Sequence, residues 1–121
     1  MLPDRIIHFQ VRGDDFRLNM TQATQVALIL NELIQNAVQH GFKVTPQGEI
    51  HVTVEEKDGD IGLWVSNSGD PLPQGFDLAK HGSLGLQIVD NLTRGLGGRF
   101  TIGDKLGWTV SEVRFHRVGS E

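Results

Sequence analysis

The sequence of 121 residues contains no cysteine, and this absence excludes disulfide bonds, thiol nucleophiles and metal sites with cysteine ligands. Its five histidines do not show the paired spacing of metal ligands, so no transition-metal site held by protein side chains is expected. The sequence also lacks an apolar run long enough to span a membrane and an N-terminal signal-peptide pattern. We therefore expect a cytoplasmic domain without membrane contact of its own, whether its parent protein is soluble or attached to a membrane.

A strong excess of charge of either sign is absent as well. The 11 basic and 15 acidic residues give a formal charge of −4, and the chain has no lysine or arginine run, so a nucleic-acid surface is not expected. Hydrophobic residues make up 38% and charged residues 21% of the chain, which is ordinary for a globular protein. At this length we expect residues 1–121 to form one domain.

A predicted long helix carries polar side chains on an otherwise apolar surface. Residues 28–46 read LILNELIQNAVQHGFKVTP, and we expect the helix to begin at an N-cap, Thr21, and to run to about His40, with Gly41 as its C-terminal stop. The polar positions share an arc of about 100°, and they are Glu32, Asn36, Gln39 and His40, which we call the polar stripe. Because the rest of this helix is apolar almost all round, we expect it to be buried and the polar stripe to line a wet or ligand-filled cleft. The alternative is an internal hydrogen-bond network.

Hydrophobic patterns predict the remaining elements. Strands are expected at residues 5–12, 49–57, 61–66, 99–102 and 108–118, a second helix at residues 83–96, and loops or connections at residues 46–48, 67–83 and 103–107. Ser83 is the expected N-cap of the second helix. Strands and helices mixed in this order predict an α+β fold with a mixed sheet covered on one face by helices.

The polar stripe has the chemistry of a site for a hydrated cation. The amide of Asn36 offers a neutral oxygen to a hard cation, and Mg²⁺ takes most of its ligands from water and phosphate rather than from protein side chains. Glu32, one helical turn earlier, can orient a nucleophile or accept a proton. The stripe is therefore a candidate site for a phosphate ligand that carries its own metal ion.

Two glycine-containing segments supply further candidate contacts. In NSGDP, residues 67–71, Asn67 can donate to and accept from an adenine edge, and Gly69 leaves room for a flat ring. The same segment is also typical of an ordinary turn. HGSLGL, residues 81–86, begins the second helix, where backbone N–H groups and the helix dipole favour an anion. Gly85 is also explained by close helix packing, and no Walker motif follows.

These three segments together resemble a known superfamily. NELIQNAVQHG resembles the N-box, NSGDP occupies the place of the G1 box, and GSLGLQIV is similar to the G2 box of the GHKL ATPases. With PLPQGFD and SLGLQIVDNL, the chain looks like the catalytic ATP-binding domain of sensor histidine kinases with a short lid, over about residues 5–118. The resemblance implies a Bergerat fold, a two-layer α/β sandwich in which residues 70–82 form the ATP lid.

The resemblance also implies a role for individual residues. Asn36 would ligate Mg²⁺, Glu32 would be the catalytic group near the γ-phosphate, and residues 82–86 would hold the phosphates. The nucleotide-binding set that it implies is Asn36, Gln39, His40, Asn67, Gly69, Leu72, Phe76, Lys80, His81, Gly82, Ser83, Leu84, Gly85, Leu86 and Thr109.

Two residues depart from the family pattern. Asn67 replaces the aspartate that usually reads the adenine amino group, so a charge-assisted hydrogen bond is lost there. Gln39 stands where many relatives have a basic phosphate contact. Lys80 and His81 in the lid would compensate for the lost affinity.

The reaction implied is transfer of the γ-phosphoryl group of Mg-ATP to a histidine on a separate helical dimerisation domain, and from there to an aspartate of a response regulator. No helical hairpin with an acceptor histidine precedes residue 5, and His8 lies on a predicted strand, so we expect the chain alone not to phosphorylate itself. Two alternatives remain, a stand-alone GHKL serine kinase of the anti-sigma type and a non-catalytic module that binds a nucleotide or a partner.

Overall fold

The computed structural model describes residues 6–118, in which the two longer of three helices pack on one face of a five-stranded sheet. In chain order the elements are β1 (Ile6–Gly13), α1 (Met20–Gly41), β2 (Gln47–Lys57), β3 (Asp60–Asn67), α2 (Leu78–His81), α3 (Leu84–Gly95), β4 (Arg99–Lys105) and β5 (Trp108–His116). The strand order is β1-β2-β3-β5-β4, with β1 parallel to β2 and all other neighbours antiparallel. The predicted α+β fold with a mixed sheet is confirmed. Arg5, the first residue of the first predicted strand, lies outside the described residues.

The core lies between the sheet and the helices because apolar side chains alternate along the central strands. Ile61, Leu63 and Val65 of β3 are buried against the helix layer, at most 2% exposed. The intervening Trp64 lies on the opposite face, where the guanidinium carbon of Arg114 is 4.9 Å from the centre of the indole ring. One face of the sheet therefore carries the core and the other is open.

Helix α1 is buried along one side only, so the expectation of burial all round was wrong. Ile29, Leu33 and Ala37 face the sheet and are buried, whereas Leu28 is 48% and Val38 is 37% exposed. A two-layer fold gives a helix one sheet face to pack against, and the apolar residues on its far side remain in water.

The N-cap of α1 also differs from the prediction. The side-chain oxygen of Asn19 accepts a hydrogen bond from the backbone N–H of Gln22 at 2.8 Å, so Asn19 is the cap. Thr21, the predicted cap, is an exposed residue of the first helical turn. The helix includes Gly41, one residue beyond the predicted end at about His40.

Other boundaries shift by a few residues. Strand β2 begins at Gln47, within the predicted loop at residues 46–48, and β4 continues to Lys105, so the predicted connection at residues 103–107 shortens to a turn at Leu106 and Gly107. Strand β5 ends at His116 rather than at residue 118. The predicted loop at residues 67–83 contains α2, a single helical turn. None of the helices within residues 6–118 combines the length and the apolar character that a membrane crossing needs.

Candidate functional site

The polar stripe of α1 and the beginning of α3 line one cavity of about 230 Å³. Its lining residues are Glu32, Gln35, Asn36, Gln39, His40, Ser83, Leu84 and Gly85. Small-molecule pockets usually begin at roughly 300 Å³. The cavity is therefore suited in size to the phosphate part of a nucleotide rather than to a whole nucleotide.

The N-terminus of α3 presents backbone donors to this cavity. Ser83 is the N-cap, as predicted, and its hydroxyl oxygen accepts a hydrogen bond from the N–H of Leu86 at 3.2 Å. Helix geometry leaves the N–H groups of Leu84 and Gly85 without an acceptor inside the helix. Together with the positive end of the helix dipole, these groups favour an anion.

Glu32 approaches the same helix end from the opposite wall. A Cβ atom added at Gly85 would lie 2.8 Å from Oε1 of Glu32, which is closer than side chains normally pack. The glycine therefore permits the carboxylate to lie against the first turn of α3. This contact accounts for the helix-packing interpretation of Gly85 and also places a carboxylate in the cavity.

His40 closes the cavity at the C-terminal end of α1. Partial burial lowers the pKa of His40, and the nearby positive charge of Lys43 lowers it further. The imidazole is therefore mostly neutral at pH 7, and it gains a positive charge only in more acidic solution.

Asn67 lies just beyond His40, deeper in the fold. Its side chain is 5% exposed, and its Nδ2 atom has no hydrogen-bond partner among the described residues. A Cβ atom added at Gly41, the residue after His40, would lie 2.6 Å from this Nδ2 atom. Thr109 pairs with Asn67 in the register between β3 and β5, and its hydroxyl donates to Oδ1 of Asp104 at 3.1 Å.

Residues 69 and 70 of the NSGDP segment lie against the end of α1. A Cβ atom added at Gly69 would lie 1.9 Å from the carbonyl oxygen of Gly41, so the close backbone contact by itself requires a glycine there. The N–H of Asp70 donates to the same carbonyl. The predicted reason for Gly69, room for a flat ring, is therefore not needed to explain the residue.

The carboxylate of Asp70 holds the loop that follows α1. It accepts hydrogen bonds from the N–H groups of Val44 and Thr45, each at 2.9 Å, and from the Thr45 hydroxyl at 2.5 Å. Burial acts to raise the pKa of Asp70, but the bonds from Thr45, Val44 and Lys43 outweigh it and keep that pKa below its usual value. Apart from the place of Asp70 in NSGDP, no sequence pattern indicated these contacts.

The predicted lid, residues 70–82, makes contacts within itself as well as with the core. Phe76 packs against the core, and its ring centre is 6.1 Å from that of His81. Nδ1 of His81 accepts from the N–H of Asp77 at 3.0 Å, and the N–H of Gly82 donates to the carbonyl of Leu78 at 3.0 Å. The backbone donor of Gly82, predicted to hold phosphate, is thus already engaged within the lid.

The structure brings part of the predicted set together at the cavity. The residues that line it are Glu32, Asn36, Gln39, His40, Ser83, Leu84 and Gly85, and those outside it are Asn67, Gly69, Leu72, Phe76, Lys80, His81, Gly82, Leu86 and Thr109. Leu86 is 3% exposed and belongs to the core. Gln35 also lines the cavity and was not predicted. Its position four residues before Gln39 on the same helix was the available signal.

The donor set at the cavity agrees with a metal ion that arrives with its ligand. Within residues 6–118 no three acidic or histidine side chains are grouped closely enough to hold a metal ion by themselves. The cavity offers the amide oxygen of Asn36 and the carboxylate of Glu32. A hard ion that keeps water and phosphate as its main ligands fits such a sparse set, whereas a fully protein-bound ion does not.

The chain is similar in sequence to known proteins. Residues 8–104 match the family model of the histidine kinase-like ATPase domain. Sensor histidine kinase PdtaS of Mycobacterium tuberculosis is 38% identical over 90 residues, which cover 74% of this chain and 18% of PdtaS. The anti-sigma F factor of Shouchella clausii is 25% identical over 87 residues, which cover 64% of this chain and 60% of that protein.

A solved structure shows the same fold. The histidine kinase domain of the blue-light activated histidine kinase EL346 of Erythrobacter litoralis superposes with a TM-score of 0.83 at 24% identity, covering 92% of this chain and 52% of that one. This chain spans less than a fifth of the length of PdtaS, so the resemblance to that kinase concerns one part of it. Because the family model matches residues 8–104, the chain belongs to the histidine kinase-like ATPase domain family.

Proposed function

We propose that this chain is the ATP-binding catalytic domain of a two-component sensor histidine kinase. It binds Mg-ATP and donates the γ-phosphoryl group to a histidine on a separate helical dimerisation domain, from which an aspartate of a response regulator receives it. The observation that carries the proposal is the cavity between the polar stripe and the first turn of α3, which combines an acidic and an amide side chain with free backbone donors. The 38% identity to a sensor histidine kinase supports it.

Each wall of the cavity has a distinct role in this proposal. The N–H groups of Leu84 and Gly85 bind phosphate oxygens. Asn36 contacts the Mg²⁺ ion that accompanies the triphosphate, and that ion supplies charge neutralisation when bound. Gln39 donates an amide hydrogen bond where many relatives have a positive charge, which lowers the affinity without removing the contact.

Glu32 is the proposed catalytic residue. In the transfer, the bond between the γ-phosphorus and the bridging oxygen breaks, ADP leaves with that oxygen, and an imidazole nitrogen of the acceptor forms the new bond to phosphorus. The other imidazole nitrogen then releases its proton to the Glu32 carboxylate. Beyond that step, catalysis consists of positioning and charge stabilisation, as is usual for phosphoryl transfer.

The similarity to an anti-sigma F factor favours a second candidate, a kinase that phosphorylates serine on a small protein antagonist. Both candidates use the same nucleotide cavity and differ in the acceptor group. The chemical stability of the product distinguishes them, since phosphohistidine is labile in acid and phosphoserine is stable there.

The experiment is a transfer assay with ATP labelled at the γ-phosphate. The chain is incubated alone and together with the helical dimerisation domain of its parent protein. We expect acid-labile label on the added domain and none on the chain alone. Label on the isolated chain, or no transfer to the added domain while ATP is bound, would contradict the histidine kinase proposal, and an acid-stable product would favour the serine kinase.

A further inference from the structure

The side chain of Asn67 is buried, but no hydrogen bond fixes its orientation. It is 5% exposed, its Nδ2 atom has no partner, and no side-chain hydrogen bond within residues 6–118 holds the amide. The atom nearest to the added Cβ position of Gly41 is Nδ2, at 2.6 Å, and Gly41 presents only carbon and hydrogen there. Either the oxygen or the nitrogen of the amide can therefore face away from α1.

The carboxylate of Asp104, which lies near Asn67 through Thr109, is already engaged by other donors. Thr109, its neighbour across the strand register, is 7% exposed and already donates its hydroxyl hydrogen to Asp104 at 3.1 Å. Asp104 also accepts from the N–H of Leu72 at 3.4 Å. Among these side chains, the Asn67 amide is therefore the one whose hydrogen-bond donor has no partner within residues 6–118.

The place of Asn67 next to the cavity makes it the candidate reader of the base. Asn67 does not line the cavity, but its amide lies against Gly41, the residue that follows His40 of the lining. A base that continues from phosphates in the cavity past His40 would therefore reach the amide. A 6-aminopurine presents a donor at position 6 beside an acceptor at N1, and a 6-oxopurine presents the reverse pair. An amide that turns by 180° matches both edges, whereas a carboxylate, which only accepts, would leave the 6-oxo group unpaired and rejected.

We infer that Asn67 makes the nucleotide site accept 6-oxopurine as well as 6-aminopurine nucleoside triphosphates. This inference rests on the proposed function, because it concerns the base end of the same site. A buried donor that has no partner within the described residues gains a hydrogen bond from either kind of purine, so the free energy of binding discriminates little between them.

The test compares the binding of Mg-ATP and Mg-ITP by calorimetry. Inosine triphosphate carries the 6-oxo group without the 2-amino group of guanine, so it isolates the contact with the amide. We expect the two Kd values of the wild-type chain to lie within tenfold of each other. In Asn67→Asp, we expect the Kd for Mg-ITP to rise at least tenfold relative to the Kd for Mg-ATP. Asn91→Asp is the matched control, since Asn91 is exposed on α3 and outside the cavity.

Several outcomes would overturn the inference. A wild-type preference for ATP above tenfold, or a nucleotide ratio unchanged in Asn67→Asp, would do so while leaving the proposed function intact. If the buried carboxylate prevents Asn67→Asp from folding, as circular dichroism would reveal, the wild-type ratio decides alone. Failure of the wild type to bind either nucleotide would overturn the proposed function and this inference together.

Discussion

Glu32 on α1 and Gly85 on α3 meet across the cavity, where a Cβ atom on residue 85 would lie 2.8 Å from Oε1 of the glutamate. This contact brings a carboxylate to the positive end of a helix dipole, which is a favourable place for negative charge. It also fixes how closely the catalytic candidate approaches the backbone groups proposed to bind phosphate. The packing of the polar stripe against the first turn of α3 therefore depends on both residues.

Gly85→Ala should weaken Mg-ATP binding without lowering stability. Alanine improves helix propensity by up to about 1 kcal/mol, but its methyl group displaces the flexible end of Glu32 and narrows the cavity. We expect the affinity for Mg-ATP to fall about tenfold, equivalent to about 1.4 kcal/mol. Gly103→Ala is the control, because a Cβ atom there would meet nothing within 4 Å. An unchanged affinity in folded Gly85→Ala would count against the proposed site.

Asp70→Asn should destabilise the chain at neutral pH and much less in acid. The carboxylate loses charge-assisted hydrogen bonds from Val44 and Thr45, worth about 1 kcal/mol or more together. Because the folded pKa of Asp70 lies below its unfolded value, this stabilisation is present above about pH 4 and is lost as the pH falls through the folded pKa. Asp15→Asn, an exposed position without these contacts, is the control in urea unfolding at both pH values. Equal losses at neutral and acidic pH would refute the prediction.

His40→Gln should alter the pH dependence of nucleotide affinity. Partial burial and then Lys43 lower the pKa of His40, so the imidazole is neutral at pH 7 and becomes cationic in the cavity only below its usual value of about 6.5. The ratio of wild-type to His40→Gln affinity for Mg-ATP should therefore rise between about pH 8 and about pH 5.5. We expect a change of about fivefold, equivalent to about 1 kcal/mol for one added charge. The ratio of the two affinities removes the effect of protonation of the nucleotide itself, since that effect is the same for both proteins. A ratio that does not change with pH would contradict a role for the His40 charge in binding.

Asn19→Ala should lower the free energy of unfolding by about 1 kcal/mol, because it removes the oxygen that accepts from the N–H of Gln22. Thr21→Ala serves as the comparison, since Thr21 is exposed within the first turn and caps nothing. Its effect should stay within about 0.5 kcal/mol. A larger loss in Thr21→Ala than in Asn19→Ala, measured by urea unfolding, would restore the prediction from sequence.

Local sequence patterns predicted the elements whose stabilising contacts lie within or next to the element itself. The alternation of Ile50 and Val52 indicated a strand, and Ser83 was recognisable as an N-cap because its side chain bonds within its own helix. The N-cap of α1 could not be chosen this way, since Asn19 and Thr21 are both good capping residues and only the start of the helix decides between them. The exposure of Leu28 and Val38 depends on the two-layer packing and has no local signal.

The candidate site was predictable in its centre and less so at its edges. Glu32, Asn36 and His40 are four residues apart, which predicted that their side chains lie on one side of the helix. All three line the cavity. Gln35 was missed because it lies at the margin of that arc. The contacts of Asp70 with the loop after α1 join residues 25 or more positions apart, and such pairs follow from the folded topology rather than from spacing.

Calorimetric titration of Mg-ATP into the wild-type chain and into Asn36→Ala tests the central claim, that the polar stripe binds the metal-bound triphosphate. We expect the wild type to bind Mg-ATP and folded Asn36→Ala to bind it about tenfold or more weakly, because the variant loses a polar contact. Asn91→Ala, on the exposed side of α3, should bind like the wild type. Wild-type affinity in folded Asn36→Ala, or no heat from the wild type at millimolar nucleotide, would contradict the account.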